Sequence, residues 1–199
     1  MKHWVPGYRV AAALLTLFAV GWQLAYLLRN IPDYRIGNFF SFFTILSNLL
    51  TVVTFLLCAR YGSRGFDQLR GATTLYMTTT GIVYAILLSD IEVDTTVPWT
   101  NFVVHQLMPV VVLLDWLLDP PHRRLVFRTA LLWLVFPVLY LVYSLIRGPI
   151  VDWYPYPFLD PRRDGGYGRV AMMSAVIAVV IFGLAMAVRW AGQVLRERK

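Results

Sequence analysis

Residues 99–119 read WTNFVVHQLMPVVVLLDWLLD, and this stretch decides the fold. It is apolar over about 20 residues, which is the length that an α-helix needs to cross a bilayer. The apolar run nevertheless contains His105, Pro109 and Asp115. Ionisable residues at membrane depth are costly, so by default they are candidates for a function. The stretch therefore predicts a membrane-spanning helix that carries part of a functional site.

The polar residues of this stretch lie on one stripe of the predicted helix. Asn101, His105 and Asp115 recur at the spacing of a single helix face. Pro109 has no N–H to give to the carbonyl of His105, one turn earlier. We therefore expect an irregularity in the helix at Pro109, with a free backbone acceptor beside the imidazole.

The composition indicates a polytopic membrane protein. The chain has 199 residues, of which 58% are hydrophobic and 15% are charged. A soluble domain would have roughly 45–50% apolar and about 25% charged residues. The net charge of +7 comes from Lys and Arg in loops and tails, a pattern that signals membrane topology and not nucleic-acid binding. Cys58 is the single cysteine, and no residues have the spacing of zinc ligands, so we expect no disulfide, metal or cofactor.

Six apolar segments predict an all-α bundle with a single transmembrane domain over residues 1–199. The segments lie at about 8–28, 38–59, 69–89, 100–118, 125–146 and 168–190. Each is long enough to span ~30 Å of hydrocarbon. The short connections predict antiparallel neighbours. Most of the 18 Lys and Arg residues fall on the side of both termini, so we expect both termini in the cytoplasm.

The second predicted helix also carries a polar face, formed by Ser41, Thr44 and Asn48. Counted from helix starts at residues 38 and 100, Thr44 lies about 9 Å and His105 about 7 Å into the bilayer, at 1.5 Å per residue. Thr44 and His105 are therefore expected at nearly the same depth, which is compatible with contact between them. Asp115 lies about 15 Å further along its helix, too far to join them.

The segment DWYPYPFLDP at residues 152–161 connects the last two predicted helices. Its prolines forbid a regular helix. Two interpretations remain open: an aromatic belt at the membrane interface, or a lid over the outer mouth of the bundle. In the second interpretation Trp153, Tyr154 and Tyr156 line a pocket. We expect the segment to fold back onto the bundle, because its aromatic side chains would otherwise be exposed to water.

Three motifs carry a resemblance: FFSFFTILSNLL at 39–50, NFVVHQLMP at 101–109 followed by LLDW at 113–116, and WYPYPFLDP at 153–161. Together they resemble a bacterial family of six-helix membrane proteins of unassigned function, which implies location in the bacterial plasma membrane. The first two are more distantly similar to the androgen-induced and androgen-dependent TFPI-regulating proteins of animals. Those proteins are threonine hydrolases that cleave fatty acid esters of hydroxy fatty acids. The resemblance implies that Thr44 is the catalytic threonine and His105 the catalytic histidine.

This pair is chemically coherent. A threonine hydroxyl is a weak nucleophile and needs an adjacent base, and neutral imidazole is the usual base near neutral pH. The reaction also needs donors for the oxyanion and a partner that orients the imidazole. The candidates for these supporting roles are Asn48, Asn101, Asp90 and Ser41.

The sequence leaves two functions open, both with a membrane lipid as the expected partner. The first is an intramembrane lipid ester hydrolase, which needs Thr44 within hydrogen-bond reach of His105 in a closed pocket. The alternative is a non-enzymatic lipid- or small-molecule-binding protein or transporter, and transport needs a polar path from the outer mouth to Asp115. Purely structural roles also remain: a membrane threonine commonly bonds its own helix, and we interpret the threonines at 73, 74 and 78–80 as packing residues. Asp115 is then expected to pair with Arg123 or Arg124.

Overall fold

The computed structural model describes residues 4–89 and 97–198. Within these residues all regular structure is helical, and six helices are long and apolar enough to cross a membrane. We label them α1 to α6; they span Trp4–Asn30, Phe43–Tyr61, Asp67–Leu88, Pro98–Leu118, Phe127–Val151 and Gly166–Glu197. A short helix, Ile36–Phe39, precedes α2, and a 3-10 turn, Pro157–Leu159, precedes α6. The predicted all-helical architecture with six membrane-length helices is confirmed.

The start of α2 differs from the prediction. The chain leaves the helical conformation after Ile36–Phe39, and Phe42 is extended, with φ −77° and ψ 130°. The break is stabilised by α5, because the Tyr140 hydroxyl donates to the carbonyl of Ser41 at 2.8 Å. Thr44 is therefore the second residue of α2, whereas His105 lies about 10 Å along α4 at 1.5 Å per residue. The count of residues from a helix start at residue 38 therefore does not apply to Thr44.

The irregularity expected at Pro109 takes the form of a π-helical turn. This turn, Val103–Leu107, lies directly before Pro109, and α3 ends in a second π turn, Tyr84–Leu88. A wider turn accommodates the missing N–H of Pro109, and such turns are frequent at functional sites. The two helices also approach closely here, because a Cβ added to Gly81 would lie 3.0 Å from Pro109 Cβ.

The start of α1 and the end of α6 lie at the same end of the bundle. Arg9, near the start of α1, binds Asp119, which directly follows α4, at 2.9 Å. Near the end of α6, the Val188 carbonyl accepts a hydrogen bond from Trp116 at 3.0 Å. We call this end the terminal end and the opposite end, which carries residues 152–161, the loop end.

Helix α5 is held away from α2 by aromatic side chains. The Phe43 ring of α2 packs against Phe136 and Tyr140 of α5, with centroid distances of 5.3 and 5.2 Å. Both α5 and α6 present large apolar side chains at the surface, such as Ile150 and Val179. Such surfaces suit contact with lipid tails, which are as apolar as leucine. The aromatic spacers leave room between the helices for a cavity.

Candidate functional site

A cavity of about 170 Å³ lies between α2, α3, α5 and α6, and the loop-end residues Tyr156, Phe158 and Leu159 form part of its wall. Most of the wall is aliphatic or aromatic. The polar side chains that line it are those of Thr44, Thr79, Thr80, Tyr140, Tyr156 and Ser174. Its lining contains no charged side chain among the residues that the structure describes. An apolar pocket with a few convergent polar groups is the usual form of a small-molecule site.

Thr44 lies in this cavity because of the break before α2. The first N–H groups of a helix have no partner within the helix. In α2 the residue at the cap position is Phe42, whose side chain makes no hydrogen bond to them. Tyr156 supplies the missing partner: its hydroxyl oxygen accepts from the Thr44 N–H at 3.3 Å and lies 3.4 Å from Thr44 Oγ1. Burial raises the pKa of Tyr156, so its phenol keeps its proton and remains a hydrogen-bond donor.

Thr79 and Thr80 of α3 add a second polar position to the wall. Each is 4% exposed, and neither Oγ1 has a hydrogen-bond partner within the described part of the chain. Their neighbours Thr73 and Thr74 behave differently, because each donates to the carbonyl one turn earlier at 2.8 Å. A buried hydroxyl without a partner is costly. These two hydroxyls are therefore available to an acceptor on a ligand.

His105 lies in a different group of side chains, where the two π turns meet. Its Nδ1 is 3.2 Å from the Asn101 carbonyl oxygen, and its ring stacks on Tyr84 with centroids 4.3 Å apart. The Asn101 amide donates to the Tyr84 hydroxyl at 2.6 Å. His105 does not line the cavity, and among the hydrogen bonds of residues 4–89 and 97–198 none joins it to Thr44.

Asn48 links the two groups. Its side-chain nitrogen donates to the carbonyl of Thr44 at 2.9 Å and to the carbonyl of Val104 at 3.1 Å. The start of α2 is therefore tied to the residue that precedes His105. Both N–H groups of Asn48 are engaged in this arrangement, so it positions the backbone and is not a free donor for an oxyanion.

The loop-end segment folds back onto the bundle, as predicted from its aromatic residues. Tyr154, Tyr156 and Phe158 are all less than 10% exposed. Trp153 packs edge-on against Phe42 with centroids 5.4 Å apart, and Tyr154 fills the space over Gly148 that a Cβ would occupy. Of the three predicted pocket residues, Tyr156 lines the cavity, whereas Trp153 and Tyr154 support the segment.

Ser41, a further candidate, does not line the cavity. Ser41 donates to the carbonyl of Gly37 at 2.6 Å, and its Oγ lies 2.8 Å from the Tyr143 hydroxyl. These contacts stabilise the break before α2. Asp90 lies outside the described residues.

Asp115 belongs to a buried ion cluster at the terminal end. It binds Arg9 at 2.7 Å and Arg70 at 2.9 Å, and these three side chains are 4%, 0% and 2% exposed, respectively. It also accepts a hydrogen bond from the Tyr8 hydroxyl. The expected pairing of Asp115 with Arg123 or Arg124 is wrong, because α1 and α3 supply the arginines.

Asp119 completes the cluster, at 2.9 Å from Arg9 and 3.6 Å from Arg70. Burial alone would raise the pKa of this carboxyl, but the Ser63 hydroxyl and the two guanidinium groups lower it to about 2. Two carboxylates therefore balance two guanidinium groups. None of these side chains lines the cavity, and in the described ranges no group of His, Cys, Asp and Glu could hold a metal ion. The polar path to Asp115 that a transporter would need is not formed by the cavity.

Comparison with known proteins gives no match: no family model, no curated protein and no solved structure is similar to this chain. The functional argument therefore depends on the cavity and its polar side chains.

Proposed function

We propose that the protein binds a membrane lipid, with part of an acyl chain in the cavity and an uncharged polar group beside Thr44 and Tyr156. One observation carries this proposal: the cavity is apolar, yet it contains the buried, unpartnered hydroxyls of Thr79 and Thr80. Apolar walls favour hydrocarbon over water. An empty cavity of this kind would be destabilising, so a bound acyl chain stabilises the bundle.

The lining favours a neutral ligand group over an ionised one. Transfer of an ionised carboxylate into such a site is costly unless a cation pairs with it, and the described lining contains no cation. An ester or amide carbonyl needs only hydrogen-bond donors. The hydroxyls of Thr44 and Tyr156 can donate, and the positive end of the α2 dipole favours a carbonyl oxygen at the same place.

Replacing Tyr156 with phenylalanine tests the polar end of the cavity. We expect this variant to bind a long-chain methyl ester about fivefold to tenfold more weakly, because one hydrogen bond is worth about 1 kcal/mol. Binding is measured in detergent by competition with a radiolabelled ester. Tyr61→Phe is the matched control, since Tyr61 is 68% exposed at the other end of α2 and does not line the cavity. Equal affinities of the wild type and Tyr156→Phe would contradict the proposed position of the ligand.

Ester hydrolysis is the second candidate function, and one observation favours it. Thr44 Oγ1 lies in the cavity at a helix N-terminus, and Asn48 ties this position to the helix that carries His105. In this reaction Thr44 Oγ attacks the acyl carbonyl carbon, while His105 accepts its proton and passes it to the departing alcohol. Water then attacks the acyl–threonine ester, releases the acid and restores the hydroxyl. The Tyr156 hydroxyl, which accepts from the Thr44 N–H, can donate its own hydrogen to the oxyanion.

The two side chains must come together for this chemistry. A general base needs hydrogen-bond contact with the proton that it removes, directly or through one water molecule. His105 is engaged by Asn101 and Tyr84 in the structure. Hydrolysis therefore requires that one water molecule bridges the imidazole and Thr44, or that the two side chains move into contact when an ester binds. Simple lipid binding has no such requirement, and it is the function that the geometry supports best.

The proposed location is the bacterial plasma membrane, with both termini in the cytoplasm. Arg9 and Arg70 are buried in the ion cluster. Exposed arginines remain at the terminal end, between α2 and α3 and between α4 and α5, such as Arg64, Arg123 and Arg124. An excess of basic residues in the connections marks the cytoplasmic side.

Cysteine labelling checks this orientation. A cysteine at Asp164, exposed at the loop end, is expected to react with a membrane-impermeant maleimide in intact cells. A cysteine at Arg64 is expected to react only after permeabilisation. The native Cys58 is fully buried and gives no background. Labelling of Arg64→Cys in intact cells would reverse the proposed orientation.

A further inference from the structure

We infer that the cavity opens sideways to the bilayer between α5 and α6, and that its lipid ligand enters through this opening and stays partly in the membrane. The inference rests on the proposed lipid-binding function. The wall on this side consists of two facing stripes. They are formed by Leu134, Val138 and Leu141 of α5 and by Ser174, Ile177, Ala178 and Ile181 of α6. Their spacing is that of a single face on each helix.

Two residues locate the opening. Val138 lines the cavity and is 58% exposed, and Ala178 also lines the cavity and is exposed. A side chain that reaches both the cavity and the outer surface marks a gap in the wall. Ile181 and Leu159 line the same cavity but are buried. The gap therefore lies at the level of Val138 and Ala178.

The sequence explains why the seam is open. The first part of α5, Phe127–Trp133, packs against α6, whereas Val135–Val151 comes close to α6 at few points at most. Small residues in membrane helices usually allow close helix contact. Here α6 has small residues at Ser174 and Ala178, but Val135–Val151 of α5 does not pack closely against α6. The small side chains then leave a gap.

The size of the cavity indicates that a bound lipid remains partly in the bilayer. An apolar cavity of about 150 Å³ holds one molecule of benzene, about six carbon atoms. The cavity of about 170 Å³ therefore holds only a short part of an acyl chain. The rest of the chain must leave through the gap. Leaving the cavity costs this part of the chain little free energy, because the surface beyond α5 and α6 faces lipid tails that are equally apolar.

Photo-crosslinking tests this route. The protein is placed in phosphatidylcholine nanodiscs that contain a small fraction of a methyl ester with a diazirine in its palmitoyl chain, and adducts are mapped by mass spectrometry. Adducts are expected on buried cavity residues such as Ile181 and Phe158. Ala178→Trp and Val138→Trp place an indole in the gap from opposite sides. Each is expected to reduce these adducts about tenfold, a cost of about 1.4 kcal/mol.

Val179→Trp is the matched control, because Val179 neighbours Ala178, is 73% exposed and does not line the cavity. It is expected to leave the cavity adducts unchanged. Undiminished adducts in Ala178→Trp and Val138→Trp would overturn the lateral route and leave lipid binding intact. Wild-type protein without cavity adducts would overturn both. If Ala178→Trp does not fold, Val138→Trp decides the question, since its indole occupies a position that is already exposed.

Discussion

Replacement of Asp115 with alanine is expected to destabilise the bundle by about 3–5 kcal/mol. Asp115 is the shared partner of Arg9 and Arg70, which are 0% and 2% exposed. Its removal leaves two buried guanidinium groups without their nearest carboxylate, and buried charges without partners are far more costly than the intact pair is favourable. Thermal unfolding in detergent, followed by circular dichroism, measures the effect.

Asp164→Ala is the control, because this carboxylate is exposed and its loss is expected to change the free energy of unfolding by less than about 0.5 kcal/mol. Asp115→Asn keeps an acceptor for Arg9 and Arg70 but loses the charge. Its effect on the free energy of unfolding is therefore expected to lie between those of Asp115→Ala and Asp164→Ala. Lipid binding by Asp115→Asn is expected to equal that of the wild type, since Asp115 does not line the cavity. If Asp115→Ala is as stable as the wild type, the cluster does not hold α1, α3 and α4 together.

Thr44→Ala is expected to abolish any hydrolysis of long-chain esters by the purified protein. Thr44 is the hydroxyl at the polar end of the cavity, and loss of a nucleophile lowers kcat/KM by about 10³ or more. His105→Ala is expected to have a similar effect, and the double variant to be no worse than either single one, because residues that act as a unit are not additive. Thr44→Ser keeps the hydroxyl and is expected to keep some activity. Release of fatty acid from the ester provides the measurement.

Thr51→Ala is the matched control for this series. Thr51 lies on the same helix and is equally buried, but its hydroxyl donates to the Ser47 carbonyl and does not line the cavity. Full hydrolysis by Thr44→Ala would show that Thr44 is not the nucleophile. If the wild type turns over no ester, hydrolysis is excluded and binding without turnover remains.

The six helices could be predicted because the length and apolarity of a membrane span are local properties of the sequence. The start of α2 could not be predicted from the sequence. The break before Phe43 depends on a hydrogen bond from Tyr140 of α5, a residue distant in the sequence. The ion cluster could not be predicted for a similar reason, because Asp115, the partner of Arg9 and Arg70, lies on another helix.

The polar end of the cavity was predictable in part. Thr44 belongs to a polar helix face, and Tyr156 belongs to a segment too aromatic to be exposed to water. Thr79 and Thr80 were interpreted as packing residues, since a threonine in a membrane helix usually bonds its own backbone. Only their surroundings show that these two hydroxyls have no such partner in the described residues. Thr44 contacts Tyr156, whereas His105 contacts Asn101 and Tyr84. The spacing of residues along the sequence does not reveal these partners.

The most direct test of lipid binding is a structure of the protein in lipid nanodiscs at a resolution that shows acyl chains. We predict elongated density that begins within hydrogen-bond distance of Thr44 Oγ1 and the Tyr156 hydroxyl and leaves the bundle between Val138 and Ala178. A cavity that is filled by rearranged side chains, or that contains only water, would contradict the proposed function.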